Sequence, residues 1–149
     1  MVNEALLRSV ESGFADVLMV AGRYTLADDG AADDVLPACE RFGVSVVAAA
    51  IFNGGLTAKN TPSETSSFDY ETVSPARLAR VQRIAAVCGD FGVDLPTAAL
   101  HFPFLRPVVS TVVVGGSSPT QVRQTVERLE QSIPAELWQA LRAEELLPA

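Results

Sequence analysis

The sequence is short of the residues that most often carry chemistry. One His, at 101, and two Cys, at 39 and 88, stand among 149 residues. A lone His leaves few ways to assemble acid–base catalysis. The two Cys make no disulfide scaffold and fit no zinc-ligand spacing. They read as small apolar core residues of a reducing, cytoplasmic compartment. Cations are scarce too: 11 Lys+Arg stand against 18 Asp+Glu, a net charge of −7. That balance argues against a nucleic-acid partner, which calls for a basic face. Long apolar runs are missing, and none approaches the roughly 18 residues of a membrane span, so no membrane partner is expected. The opening MVNEALLRSVE carries charges where a secretory leader has its apolar stretch.

What is present is core material. Hydrophobic residues make up 48% of the chain, which excludes a disordered tail, and a length near 150 matches one domain. Residues 3–12 read as a helix with Asn3 as a possible cap and Leu6, Leu7 and Val10 as its stripe, stopped at Gly13. Residues 16–20 (DVLMV) and 44–50 (VSVVAAA) are short runs apolar on both faces, which suits buried parallel strands. A helix over 32–42 lies between them. Residues 52–72 have no periodicity and form a long loop, a feature usually tied to function or disorder. Ser74-Pro75 opens a strong helix with Leu78, Val81, Ile84, Ala85 and Cys88 on one stripe. A helix over about 95–104, a β-branched strand over 108–114, and helices over 120–131 and 135–146 complete the chain. The alternation predicts an α/β protein with three parallel strands. Three are too few to close a barrel, and the pattern looks cut off at the front.

Three segments follow strand ends, where parallel α/β folds bind ligands. Gly115-Gly116-Ser117-Ser118-Pro119 runs from the last strand straight into a helix. Two glycines and a helix N-terminus suit an anion; an ordinary turn with Ser118 as cap and Pro119 in the first turn fits the same residues. Phe52-Asn53-Gly54-Gly55-Leu56 offers backbone amides and positive φ, or simply a glycine turn opening a loop. Arg23-Tyr24-Thr25 places an aromatic and a guanidinium near a pocket or at a half-exposed surface. His101, on an apolar helix, reads as a packed or hydrogen-bonded residue. Asp28, Asp29, Asp33 and Asp34 read as solvated charges near a helix start. Arg77, Arg80 and Arg83 read as an exposed helix face.

Taken together, DVLMVAGRYTLAD, VVAAAIFNGGL and VVVGGSSPTQVRQTVERL resemble the aldo/keto reductase family, in its aldose and pyridoxal dehydrogenase branch. The resemblance covers essentially the whole chain, 1–149. It implies strands six to eight, the C-terminal half, of a (β/α)₈ TIM barrel that uses NAD or NADP to interconvert carbonyls and alcohols. The family's catalytic Asp, Tyr, Lys and His belong to its first four strands, so no catalytic residue is assigned here. Its pyrophosphate loop corresponds to Phe52, Asn53, Gly54, Gly55 and Leu56. Its adenosine-phosphate turn corresponds to Gly115, Gly116, Ser117, Ser118 and Gln121, and Tyr24 falls near the nicotinamide-stacking aromatic. Gly115 and Gln121 stand where NADP-preferring members carry Lys and Arg, which favours NAD. Thr125 replaces an adenine-contacting Asn, and Ala21 replaces a Gln at the end of strand six. No metal site is implied.

Two functions follow as expectations. One is the cofactor-binding half of an NAD(P)-dependent aldose dehydrogenase, inactive alone. The other is a non-catalytic half-barrel that forms a homodimer or complements a separate N-terminal half. The residues Val17, Met19, Val46, Ala48, Val112 and Val114 are expected to include the uncovered barrel interior.

Overall fold

The computed structural model describes residues 2–63, 67–68 and 71–148. Three five-residue strands, β1 (Val17–Ala21), β2 (Ser45–Ala49) and β5 (Val109–Val113), form a parallel sheet in the order β1-β2-β5. Val17 pairs with Ser45 and Ala21 with Ala49; on the other side Val47 pairs with Thr111 and Ala49 with Val113. The register slips once, between Val46 and Val47. Ser110 sits at that irregularity and donates its hydroxyl hydrogen to the Val46 carbonyl at 3.2 Å. Parallel strands need crossovers, and helices supply them here.

The helices are α1 (Val2–Glu11), α2 (Val35–Phe42), α3 (Pro75–Asp90), α4 (Leu95–His101), α5 (Pro119–Leu129) and α6 (Ala135–Ala143). A single 3₁₀ turn, Phe102–Leu105, follows α4. Three helices share one start signal: a side-chain cap followed by Pro in the first turn. Ser74 accepts from the Arg77 amide at 3.3 Å, Asp94 from Thr97 at 2.8 Å and Ser118 from Gln121 at 3.3 Å. Asp34 accepts from the Val35 amide at 2.6 Å.

Two start signals fall differently from the sequence pattern. Asn3 lies inside α1 rather than capping it; its amide donates to the Gly30 carbonyl at 2.7 Å and to the Asp34 carboxylate. Residues 31–34 form turns, so α2 begins at Val35 and not at 32. Within the 52–72 loop a small antiparallel pair, β3 (Ser67–Phe68) and β4 (Glu71–Thr72), appears that no periodicity announced. Residues 64–66, 69 and 70 of that loop lie outside the described residues.

The helices cover one face of the sheet only. Leu18, Val20, Val46, Ala48 and Val109 point into them and are buried. The stripe Leu78, Val81, Ile84 and Cys88 of α3 and the residues Leu137, Trp138, Leu141, Leu146 and Leu147 around α6 complete this core. The opposite face carries Val17, Met19, Val47, Thr111 and Val113. Val17 and Met19 are 57% and 55% exposed, Val113 is 49%. The expected list of interior residues therefore mixes two faces. Val17 and Met19 do face outward, whereas Val46 and Ala48 are fully buried and Val112 and Val114 pack against the core from the helix side. The reason is the two-residue period of a strand, which sends neighbours to opposite faces.

Candidate functional site

All three strands end at the same edge of the sheet, with Ala21, Ala49 and Val113 side by side. The segments leaving that edge are 22–30, 50–58 and 114–118. The middle one is wound into successive turns. The amides of Asn53, Gly55, Leu56, Thr57 and Ala58 donate to the carbonyls of Ala50, Phe52, Asn53, Phe52 and Gly55 respectively. Four of its residues adopt positive φ: Ala50 at 53°, Asn53 at 46°, Gly54 at 67° and Gly55 at 98°. Asn53 and Ala50 accept this strained region only because the turns hold them there. The expected positive φ is thus present, but the amides of Asn53 and Gly55 are already engaged within the loop.

Asn53 stitches this loop to the first one. It is 5% exposed, and its Nδ2 donates to the Gly22 carbonyl at 3.5 Å. Its Oδ1 is buried and, among the described residues, has no hydrogen-bond partner. A buried acceptor left unmet is costly and marks a place where a donor is wanted. Leu56 is fully buried beneath the loop and Phe52 packs partly against the core.

The last segment leads from β5 into α5. Ser117 donates both its amide, at 2.8 Å, and its hydroxyl, at 3.0 Å, to Oε1 of Gln121. Ser118 caps the helix. Both readings of this turn coexist: it is an ordinary capped helix start, and it also converges donors on a single oxygen. At Gly116 an added Cβ would lie 2.9 Å from Val122 Cγ2, so the absence of a side chain lets the strand end press on α5; at Gly115 the space is open.

Tyr24 is placed apart from these two loops. It is 3% exposed, and its ring centroid lies 4.9 Å from that of Phe102. Burial pushes its hydroxyl up to about 12, against the opposing pull of Arg106 and Arg142. Arg23, beside it, ion-pairs with Asp28 at 3.5 Å.

The acidic residues after β1 are more than solvated charges. Asp28 also pairs with Arg77 at 3.2 Å, and Arg77 lies 3.6 Å over the Phe68 ring. Arg80 reaches Asp29 at 3.3 Å, the Ala27 carbonyl at 3.2 Å and the Leu146 carbonyl at 2.7 Å. Arg83 pairs with Glu144 at 3.0 Å. The expected exposed face of α3 is thus a clamp holding the 27–30 segment and the chain end. A cleft of about 380 Å³ opens along it, lined by Asp28, Asp29, Ser74, Arg77 and Arg80. Sequence reasoning missed the clamp because its partners lie about 50 positions apart in the chain. The i, i+3, i+6 spacing of the three arginines was the signal available.

Elsewhere the polar groups are structural. His101 Nε2 lies 2.9 Å from the Arg128 carbonyl, joining α4 to α5. Burial alone would raise the Asp94 carboxyl, but hydrogen bonds from Thr97 and the Arg128 guanidinium outweigh it and hold the group below its usual value. Burial pushes the Cys88 thiol up to about 12, so it behaves as a core residue. Among the described residues no group of three His, Cys, Asp or Glu is placed to hold a metal ion, and no helix is long and apolar enough to cross a membrane.

Comparison with known proteins agrees with this architecture. The sequence pattern of the aldo/keto reductase family matches residues 3–145. D-threo-aldose 1-dehydrogenase of Pseudomonas sp is 43% identical over 99% of this chain and 45% of that enzyme. Pyridoxal 4-dehydrogenase of Microbacterium luteolum is 37% identical over 93% of this chain and 40% of the enzyme. In three dimensions the chain superposes on aldo-keto reductase AKR11C1 of Bacillus halodurans, in its holo form, with a TM-score of 0.69 and 21% identity, covering 99% of this chain and 46% of that one. The chain therefore spans about half the length of the relatives it matches, and its three strands and their helices are part of a (β/α)₈ barrel. On the match across nearly its whole length, the chain belongs to the aldo/keto reductase family.

Proposed function

We propose that the strand-end loops hold the pyrophosphate and adenosine portions of a nicotinamide dinucleotide, so that this chain is the cofactor-holding half of an NAD(P)-dependent oxidoreductase. The observation that carries this is the convergence of the Ser117 amide and hydroxyl on Gln121 Oε1 at the start of α5. A phosphate oxygen at that helix N-terminus would accept from the same two donors and gain from the helix dipole. The residues fit such a group in two further respects. The bare Gly115 leaves room for close approach, and the Asn53 side chain ties the 50–58 loop to the Gly22 carbonyl, holding that loop at the strand ends.

Segment 114–122 contains no Lys or Arg. An additional phosphate on the adenosine ribose would find no cation there, which favours NAD over NADP. When bound, the dinucleotide accepts or gives hydride; the chain's own residues bind and orient it. The proton-transferring residues belong to the part of the barrel not contained in this chain. The similarity to enzymes named for D-threo-aldoses and pyridoxal supports a sugar or pyridoxal-like carbonyl substrate.

Calorimetric titration of the chain with NAD and NADP tests this. Heat with NAD, weaker heat with NADP, and a roughly tenfold shift toward NADP in Gln121→Arg are expected. No heat with either dinucleotide overturns it. The chain alone should not oxidise a D-threo-aldose above a blank; turnover would show that the proton-transferring groups lie within it.

A second reading, a non-catalytic half-barrel that pairs with itself or with an N-terminal half, is favoured by the uncovered sheet face. It predicts association with no dinucleotide heat.

A further inference from the structure

A small cavity of about 60 Å³ is lined by, among others, Tyr24, Asp33, Phe102, Arg106, Arg142 and Pro148. None of its lining residues comes from the 50–58 or 114–118 segments. Its walls are drawn from four separate parts of the chain. Tyr24 and Asp33 lie between β1 and α2, Phe102 and Arg106 in and just after the 3₁₀ turn, Arg142 on α6 and Pro148 beyond it. The space holds a few waters or one compact ion and is far too small for a dinucleotide.

Tyr24 is the first sign that this space wants a polar occupant. The residue is 3% exposed and its ring is fixed against Phe102. Among the described residues its hydroxyl has no hydrogen-bond partner. A buried hydroxyl left unmet is costly. Burial pushes its pKa up to about 12, so it stays protonated and able to donate at neutral pH. Two guanidiniums border the same space. Arg142 donates Nε to the Pro148 carbonyl at 3.2 Å, and its other nitrogens have no partner among the described residues. Arg106 sets its buried Nε 3.3 Å from Glu40 Oε1, an ion pair without hydrogen-bond geometry, and makes no other ion pair there. Asp33 is the one carboxylate among the lining residues; it is exposed, and neither guanidinium pairs with it. The walls thus offer a phenol and two guanidiniums against one exposed carboxylate. Such a set suits an acceptor-rich occupant, whereas a cation or a hydrocarbon would leave the donors unmet.

We propose that this cavity binds a compact oxyanion, a phosphate or a carboxylate group, which takes hydrogen bonds from the Tyr24 hydroxyl and from the outer nitrogens of Arg106 and Arg142. A bound ion ties the end of the chain, through Arg142 beside Pro148, to the segment after β1. It thereby reinforces the hold that Arg80 has on the Leu146 carbonyl at 2.7 Å. The proposal is independent of the dinucleotide reading, since the two sites share no residue of the 50–58 and 114–118 segments, and either can fail without the other.

The test melts the 149-residue chain in rising inorganic phosphate or formate at constant ionic strength. It also follows hydrogen exchange of the Leu146 amide, which is bonded to the Leu141 carbonyl at 2.9 Å. A saturable rise in melting temperature with slower exchange at Leu146 is expected. A stronger response to phosphate assigns the site to phosphate groups, and a stronger response to formate assigns it to carboxylates. Tyr24→Phe keeps the ring against Phe102, and Arg142→Gln changes an exposed position. Each should weaken binding, read from the anion concentration at half-effect, about tenfold or more. Asp33→Asn, which removes the opposing charge, should strengthen it. Two results overturn the proposal. One is the lack of a saturable shift with either anion. The other is a shift unchanged in both Tyr24→Phe and Arg142→Gln, which would place the ion elsewhere, as at the start of α5.

Discussion

The two faces of the β1-β2-β5 sheet are built from the same kinds of residue and end in opposite environments. Val20, Val46 and Ala48 are fully buried against helices, while Val17 and Met19, one position away, are more than half exposed. Strands apolar on both sides demand two covering layers. This chain provides one. Exposure here is therefore a property of what surrounds the strand and not of its residues.

The comparison can be broken most directly by truncating one side chain on each side of the sheet. On the helix-covered side, Leu36→Ala, at a fully buried position of α2 in that core, should cost about 2–5 kcal/mol in urea unfolding. Met19→Ala, on the open face, should cost no more than about 0.5 kcal/mol. Equal losses would mean that the open face is covered in solution.

A smaller effect separates two arginines three residues apart on α3. Arg80→Met removes hydrogen bonds to two carbonyls and a carboxylate at a largely buried guanidinium and should cost about 1–3 kcal/mol. Arg83→Met, whose pair with Glu144 is 61% and 45% exposed, should change stability by less than about 0.5 kcal/mol. Matching values would show that the clamp on 27–30 adds nothing beyond a surface pair.

The smallest expected effect concerns pH. Asp94 is held below its ordinary value of 3.8 in the folded chain. A depressed carboxyl contributes stability above its unfolded value and loses it as pH falls through the folded one. Asp94→Asn should therefore be less stable than the parent by about 1 kcal/mol at neutral pH, the worth of a cap and its pair. The two should converge in strong acid. A difference independent of pH would mean that the carboxylate charge plays no part.

Much of the fold was legible along the chain because its signals are local. The Ser-Pro starts of α3 and α5, the β-branched run of β5 and the stripes of α3 and α6 each follow from residues within a few positions of one another. Failures occurred where distant groups intervened. Asn3 reads as a cap until its amide is seen bound to Gly30 and Asp34. The aspartates after β1 read as solvated until three arginines, two of them on α3, meet them. The candidate site is divided in the same way. The 52–56 and 115–121 segments come out at one sheet edge as the motif spacing requires, while Tyr24 turns into the core beside Phe102.

By itself, the sequence determined the family, the alternation of strand and helix and the caps at Ser74 and Ser118, because periodicity and capping act over a turn or two of chain. It also settled how little acid–base material the chain holds. Only the tertiary structure decided which parity of each strand is buried, because that depends on which side the crossover helices lie. It also decided that Val17, Met19 and Val113 stay exposed on one face of the sheet, because exposure depends on which elements the fold lays against each face.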